Sequence, residues 1–238
     1  MKKLARVAGL PCVAALVAAS GFAAPGKAHV VVFGAAKSVP YSRAGDPAGA
    51  APGEDSLKIR ALLVDGSLKE WTTGDSHDVT DRSFVVRRAV RLNNSLPGDR
   101  LDSWVWQRGP WLLVDRRTGR IAALHLPDYD PGVSQVSWFR DYAAYCGLTP
   151  SGKSLYAVVA QIAARRPVLA KKLSAFDPEN PPQPACGAPE WQRQPMRVIF
   201  HPGGHPDGRD AVAFDVEPGS AVLVEDSGDG PETAEPAN

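Results

Sequence analysis

Apolar positions along this chain come in short runs separated by turn-forming residues, which predicts strands rather than long helices. His29-Val30-Val31-Val32-Phe33 is apolar and β-branched. Leu57 to Val64 ends at Asp65-Gly66, a dipeptide suited to a tight hairpin, and continues into Leu68-Lys69-Glu70-Trp71. Ser83 to Leu92 alternates in places. Trp111 to Val114 runs into the turn Asp115-Arg116-Arg117-Thr118-Gly119, and Arg120 to Leu126 returns from it. Met196 to Phe200 and Ala211 to Val216 flank a Gly-rich turn from His201 to Gly208, and Val222 to Val224 forms a last short edge. Leu155 to Ala164 fits a helical stripe and a strand face equally well. Gly152-Lys153 before it and Arg165-Arg166-Pro167 after it favour the strand. The fold class that follows is mainly β: sandwich-like or small propeller-like antiparallel sheets, with long irregular loops and at most one short helix.

The start of the chain breaks this rhythm. Met1-Lys2-Lys3-Leu4-Ala5-Arg6 is positively charged, Val7 to Ala19 is apolar but too short to span a bilayer, and Ser20 to Ala24 is a small-residue stretch. Residues 1–24 therefore read as a signal peptide, cut after Ala23 or Ala24, and the expected location is periplasmic or secreted. Cutting after Ala28 is the alternative, and it would leave His29 as an amino-terminal histidine able to chelate copper. Residues 25–225 are expected to form one β domain. The acidic, Pro/Gly-rich end, 226–238, lacks the apolar residues a fold needs and is expected to be disordered.

Removing Lys2, Lys3 and Arg6 from a chain of formal net charge +1 leaves about −2. A near-neutral surface offers no electrostatic footprint for nucleic acid. No later apolar run is long enough for a membrane helix, so no membrane insertion is expected after signal cleavage. Cys12 lies inside the apolar leader, which leaves Cys146 and Cys186. In an oxidising compartment that pair reads as a disulfide, tying a proline-rich loop (Asp177 to Pro195) to the body.

Several motifs invite a chemical reading. Gly147-Leu148-Thr149-Pro150-Ser151-Gly152-Lys153-Ser154 matches the phosphate-loop pattern. Pro150, however, removes a backbone N–H from a loop whose chemistry is backbone N–H groups, and Cys146 adjoins it, so a turn between strands is expected. His201 and His205 share a Gly/Pro loop that could hold zinc or copper, although Pro and Gly exclude a helical ligand pair. Asp75, His77, Asp78 and Asp81 form a polar cluster able to supply calcium ligands or a carboxylate for hydrolysis, and Asp128 and Asp130 form another. Neither has calcium-loop spacing, and both read first as turn formers and solvated faces. Trp104 and Trp106 share a face in a strand: exposed they would be a stacking platform, buried they would be core, and core is favoured.

No cofactor is expected from these residues. The functional expectation is a non-enzymatic binding module of the cell envelope, taking an unidentified protein or glycan partner. The alternative is an envelope hydrolase using the Asp75/His77/Asp78 cluster.

Overall fold

Asp65 and Gly66 both adopt positive φ, 51° and 76°, the conformation a two-residue hairpin needs to match strand twist. They join β2 (Ser56–Val64) to β3 (Ser67–Asp78). The computed structural model describes residues 28–44, 46, 56–162, 164–177, 179, 186–203 and 210–224. The segment 1–24 expected to be a signal peptide, part of the proline-rich loop (178 and 180–185), His205 and the acidic tail lie outside the described residues.

The first sheet is a six-stranded meander in chain order: β1 (Val31–Pro40), β2, β3, β4 (Ser83–Asn93), β5 (Trp104–Asp115) and β6 (Ile121–Ala123). It curls until the end of β1 returns to β5. There Tyr41 bridges Trp106 and the Ser42 N–H donates to the Trp106 carbonyl at 2.8 Å. The sheet does not close into a barrel. Its apolar positions gather as Leu62, Phe84, Val86, Leu112 and Val114 at one end. At the other end Leu57, Ile59 and Ala89 pack with Trp71 and Trp106. Burying such side chains stabilises the fold by roughly 1.5–3 kcal/mol each.

The second sheet is β7 (Ser137–Phe139), β8 (Tyr142–Leu148), β9 (Ser154–Gln161) and β10 (Leu169–Ala175); the third is β11 (Glu190–Gln192), β12 (Arg197–Phe200), β13 (Val212–Glu217) and β14 (Ser220–Leu223). All strand pairs in the three sheets are antiparallel. The second sheet is the middle layer. Tyr142, Ala144, Cys146, Ala157 and Val159 pack on Val198, Phe200, Phe214 and Val216 of the third sheet. The alternate residues Ala143, Tyr145, Val158 and Ala160 meet Trp111, Leu124, Leu126 and Tyr129. Cys146 and Cys186 form a disulfide.

Among the described residues there is no helix, and Leu155 to Gln161 is strand. β3 carries Asp75, His77 and Asp78, with Ser76, His77 and Asp78 paired to Val86, Val85 and Phe84. Asp75, Asp78 and Asp81 are exposed, as residues of a solvated face are. One expectation is corrected. Trp104 is not core. It is 42% exposed at the end of β5, whereas Trp106 packs edge-on against Trp71 with centroids 5.9 Å apart.

Candidate functional site

A cleft of about 360 Å³ opens between the β4–β5 ribbon and the loop that follows β6. Val90, Gln107, Pro110 and Trp111 come from the ribbon, while Leu124, Tyr129 and Pro131 come from the loop. The ribbon is shaped for this by a bulge between Arg87 and Ala89, which bends a strand pair and redirects its side chains. Gly109 sits at the bulge, where a Cβ would meet Val90 Cγ1 at 3.0 Å and the Arg88 carbonyl at 3.3 Å. A side chain there would have to push these neighbours back by a few tenths of an ångström, so the close approach favours glycine.

Asp46 fixes the cleft's inner wall. Its side chain is 5% exposed; Arg87 Nη2 lies 3.4 Å from Oδ1, and Arg108 Nη1 donates to Oδ2. Arg108 also donates to the Tyr41 hydroxyl and lays its guanidinium over that ring, 4.9 Å from the centroid. Arg87 Nε donates to the Gly109 carbonyl at 3.1 Å. A buried carboxylate with charged donors on it is strongly held, and losing a partner would be costly. Burial pushes the Tyr129 phenol up from its ordinary value, and Arg87 offsets part of that. The Tyr129 hydroxyl and the Trp111 indole N–H are buried without a hydrogen-bond partner among the described residues.

The residues singled out from sequence are dispersed. His77 donates from Nε2 to the Arg140 carbonyl at 2.7 Å and stacks on Trp138, which meets Trp111 edge-on at 5.1 Å. Asp78 pairs with Arg116 at 2.6 Å, and Asp75 is exposed on β3. His201 follows β12 in the third sheet, with both ring nitrogens buried and without a hydrogen-bond partner among the described residues, and with Glu190 3.8 Å away. Its partner in the sequence reading, His205, lies outside the described residues. Among the described residues no three His, Cys, Asp or Glu side chains gather as metal ligands. His29 Nδ1 donates to Asp65 Oδ2 at 2.7 Å, and Asp65 Oδ1 also accepts the Val30 N–H. Trp104 carries the Arg91 guanidinium over its ring at 4.5 Å, so Trp104 and Trp106 do not form one open platform. The phosphate-loop match is the β8–β9 turn, and Ser154 begins a strand where a phosphate-binding loop would begin a helix.

Of the cleft's residues, sequence reasoning placed Trp111, Leu124 and Leu126 in strand-like runs and named none as a site. Val90, Gln107 and Tyr129 are far apart in the chain and become neighbours through the bulge and the folded-back loop. The available signal was the proline beside Trp111, with Pro127 and Pro131 flanking Tyr129. In comparison with known proteins, no family model, no curated protein and no solved structure matches this chain. Its site therefore stands on its own geometry.

Proposed function

We propose that this chain is an exported, non-enzymatic binding module that takes an apolar group of an envelope partner, protein or glycan, into the cleft beside Trp111. The observation that carries the reading is the cleft itself: walled mostly by Trp, Tyr, Leu, Val and Pro, with Arg108 and Gln107 in its lining and Arg108 held in turn by Asp46. Recognition pockets have this character, with apolar walls and a few polar groups such as Gln107 to fix orientation. The Cys146–Cys186 disulfide is compatible with an oxidising, exported location. His77 supports binding over hydrolysis, because its ring is committed to the Arg140 carbonyl and to Trp138.

The test is titration of the oxidised protein with soluble peptidoglycan fragments and with apolar peptides, read by calorimetry. Saturable binding is expected, weakened about tenfold or more by Val90→Arg, which fills the cleft without touching the deeper core. Binding that Val90→Arg leaves intact would place recognition elsewhere. Turnover of the fragments that disappears in His77→Ala would replace the module by the hydrolase.

A further inference from the structure

The second sheet has a charge pattern of its own. The chain carries 27 Lys and Arg against 26 Asp and Glu, yet from Tyr142 to Phe176 there is no acid and there are five cations: Lys153, Arg165, Arg166, Lys171 and Lys172. All five are exposed. The fold sets them in a row. β10 is the outer strand of its sheet and, among the described residues, pairs with β9 alone. Arg165 and Arg166 stand in the bend that enters β10, and Lys171 and Lys172 lie within it. Lys153 sits at its far end, where the Lys153 carbonyl accepts the Phe176 N–H at 2.9 Å. Elsewhere arginines find carboxylates: Arg87 and Arg108 share Asp46, Arg88 takes Glu70, and Arg197 takes Asp215. None of the five along β10 is paired with a carboxylate among the described residues. At the arginine end, His125, Gln161, Arg165 and Arg166 line part of a cavity of about 50 Å³. At roughly 10–15 Å³ per water it has room for a few waters, the size of one phosphate group.

We propose that the β10 edge binds a linear polyanion bearing phosphate groups, with one phosphate taken by the cavity at His125, Arg165 and Arg166. This surface goes beyond the Trp111 cleft and does not depend on it. Guanidinium forks match phosphate oxygens, and cations without carboxylate partners have no ion pair to break on binding. The row runs along a seven-residue strand, roughly 23 Å. A polymer fits it better than a bilayer does. Lys171 and Lys172 are consecutive, so strand alternation sends them to opposite faces of the sheet, whereas a lipid surface meets cations presented on one side. Nucleic acid fits less well, because Leu169 to Ala175 offers no aromatic ring for a base to stack on. Lysines on an outer strand also deter pairing between copies. That role calls for neither the arginine pair nor the histidine at the cavity. Whole-chain neutrality hides the surface, since the compensating acids belong to other elements.

Calorimetric titration of the oxidised full chain with medium-chain inorganic polyphosphate tests the surface. Saturable binding is expected, weakening as salt rises. Lys171→Gln/Lys172→Gln and Arg165→Gln/Arg166→Gln should each weaken it about tenfold or more and reduce its slope against log salt by about 1 to 2. Lys58→Gln/Lys69→Gln removes the same charge from exposed positions of the first sheet and should bind as the wild type does. Val90→Arg, which fills the cleft, should also leave polyphosphate binding intact, so this surface and the cleft fail separately. The Lys and Arg changes are at exposed positions, and circular dichroism checks that each variant folds. No binding, or a loss as large in Lys58→Gln/Lys69→Gln as in the β10 variants, would overturn the inference. So would tighter binding of oligothymidylate, polyglutamate or phosphatidylglycerol vesicles than of polyphosphate.

Discussion

Arg197 and Asp215 face each other across β12 and β13 as a register pair, joined by hydrogen bonds of 2.7 and 3.2 Å. The bidentate guanidinium holds the Asp215 carboxyl below its ordinary range, and the carboxylate in turn raises Arg197. The sign follows from linkage. A carboxyl whose folded pKa is depressed contributes stability above its unfolded pKa, about 3.9, and loses it as pH falls through the folded value. Asp215→Asn should therefore be less stable than wild type near neutrality, and the gap should narrow as pH drops below about 4. Urea unfolding at a series of acid pH values measures this; a gap of the same size throughout would remove the ion pair from the account. Individual residues were unevenly legible. The disulfide was readable because only two cysteines, Cys146 and Cys186, lie outside the apolar run near the start of the chain. His77 was not: its nearness to aspartates suggested a polar turn, whereas its place on β3 turns it onto Trp138.

Hairpins announced themselves where turn chemistry is local. Asp65-Gly66 did so by backbone preference, and Asp115 by accepting the Arg117 and Thr118 N–H groups at 2.7 and 2.9 Å. Those bonds, Thr118's foremost, hold the Asp115 carboxyl below its ordinary range. β8 was silent for the opposite reason. It is buried on both faces, so it shows no alternation for a pattern to reveal. The same strand explains the phosphate-loop match. Gly147 is glycine because a Cβ there would lie 2.9 Å from Val158 Cγ2 and 3.0 Å from the Asp128 carbonyl, not because a phosphate approaches. Gly147→Ala should thus destabilise by about 1–3 kcal/mol through overpacking. Lys153→Ala, at an exposed turn position, should stay within about 0.5 kcal/mol of wild type. Thermal unfolding of the two variants separates packing from chemistry. A stable Gly147→Ala, or magnesium-dependent nucleotide binding lost in Lys153→Ala, would reverse the assignment.

The three sheets are held by different means, and that difference should be visible when the disulfide is cut. The first sheet has its own cores, one around Leu62, Phe84 and Val114 and one around Leu57 and Ile59. It meets the second sheet through Trp111, Leu124, Leu126 and Trp138. The second and third sheets share the core of Ala144, Val159, Phe200 and Phe214, and Cys146–Cys186 crosses within it. The cross-link spans 40 residues, so in the chain-entropy model it stabilises the fold by roughly 4 kcal/mol. Because it fastens β8 to the segment entering the third sheet, that stabilisation should fall on the second and third sheets first. Hydrogen exchange on the protein with and without reductant tests the claim. Amides of β8, β9, β12 and β13 should lose protection on reduction, while those of Leu62, Phe84, Val86, Leu112 and Val114 keep most of theirs. An equal loss across all three sheets would mean that the Trp111–Trp138 contact couples the layers as tightly as the shared core does. The chain would then open as one cooperative unit.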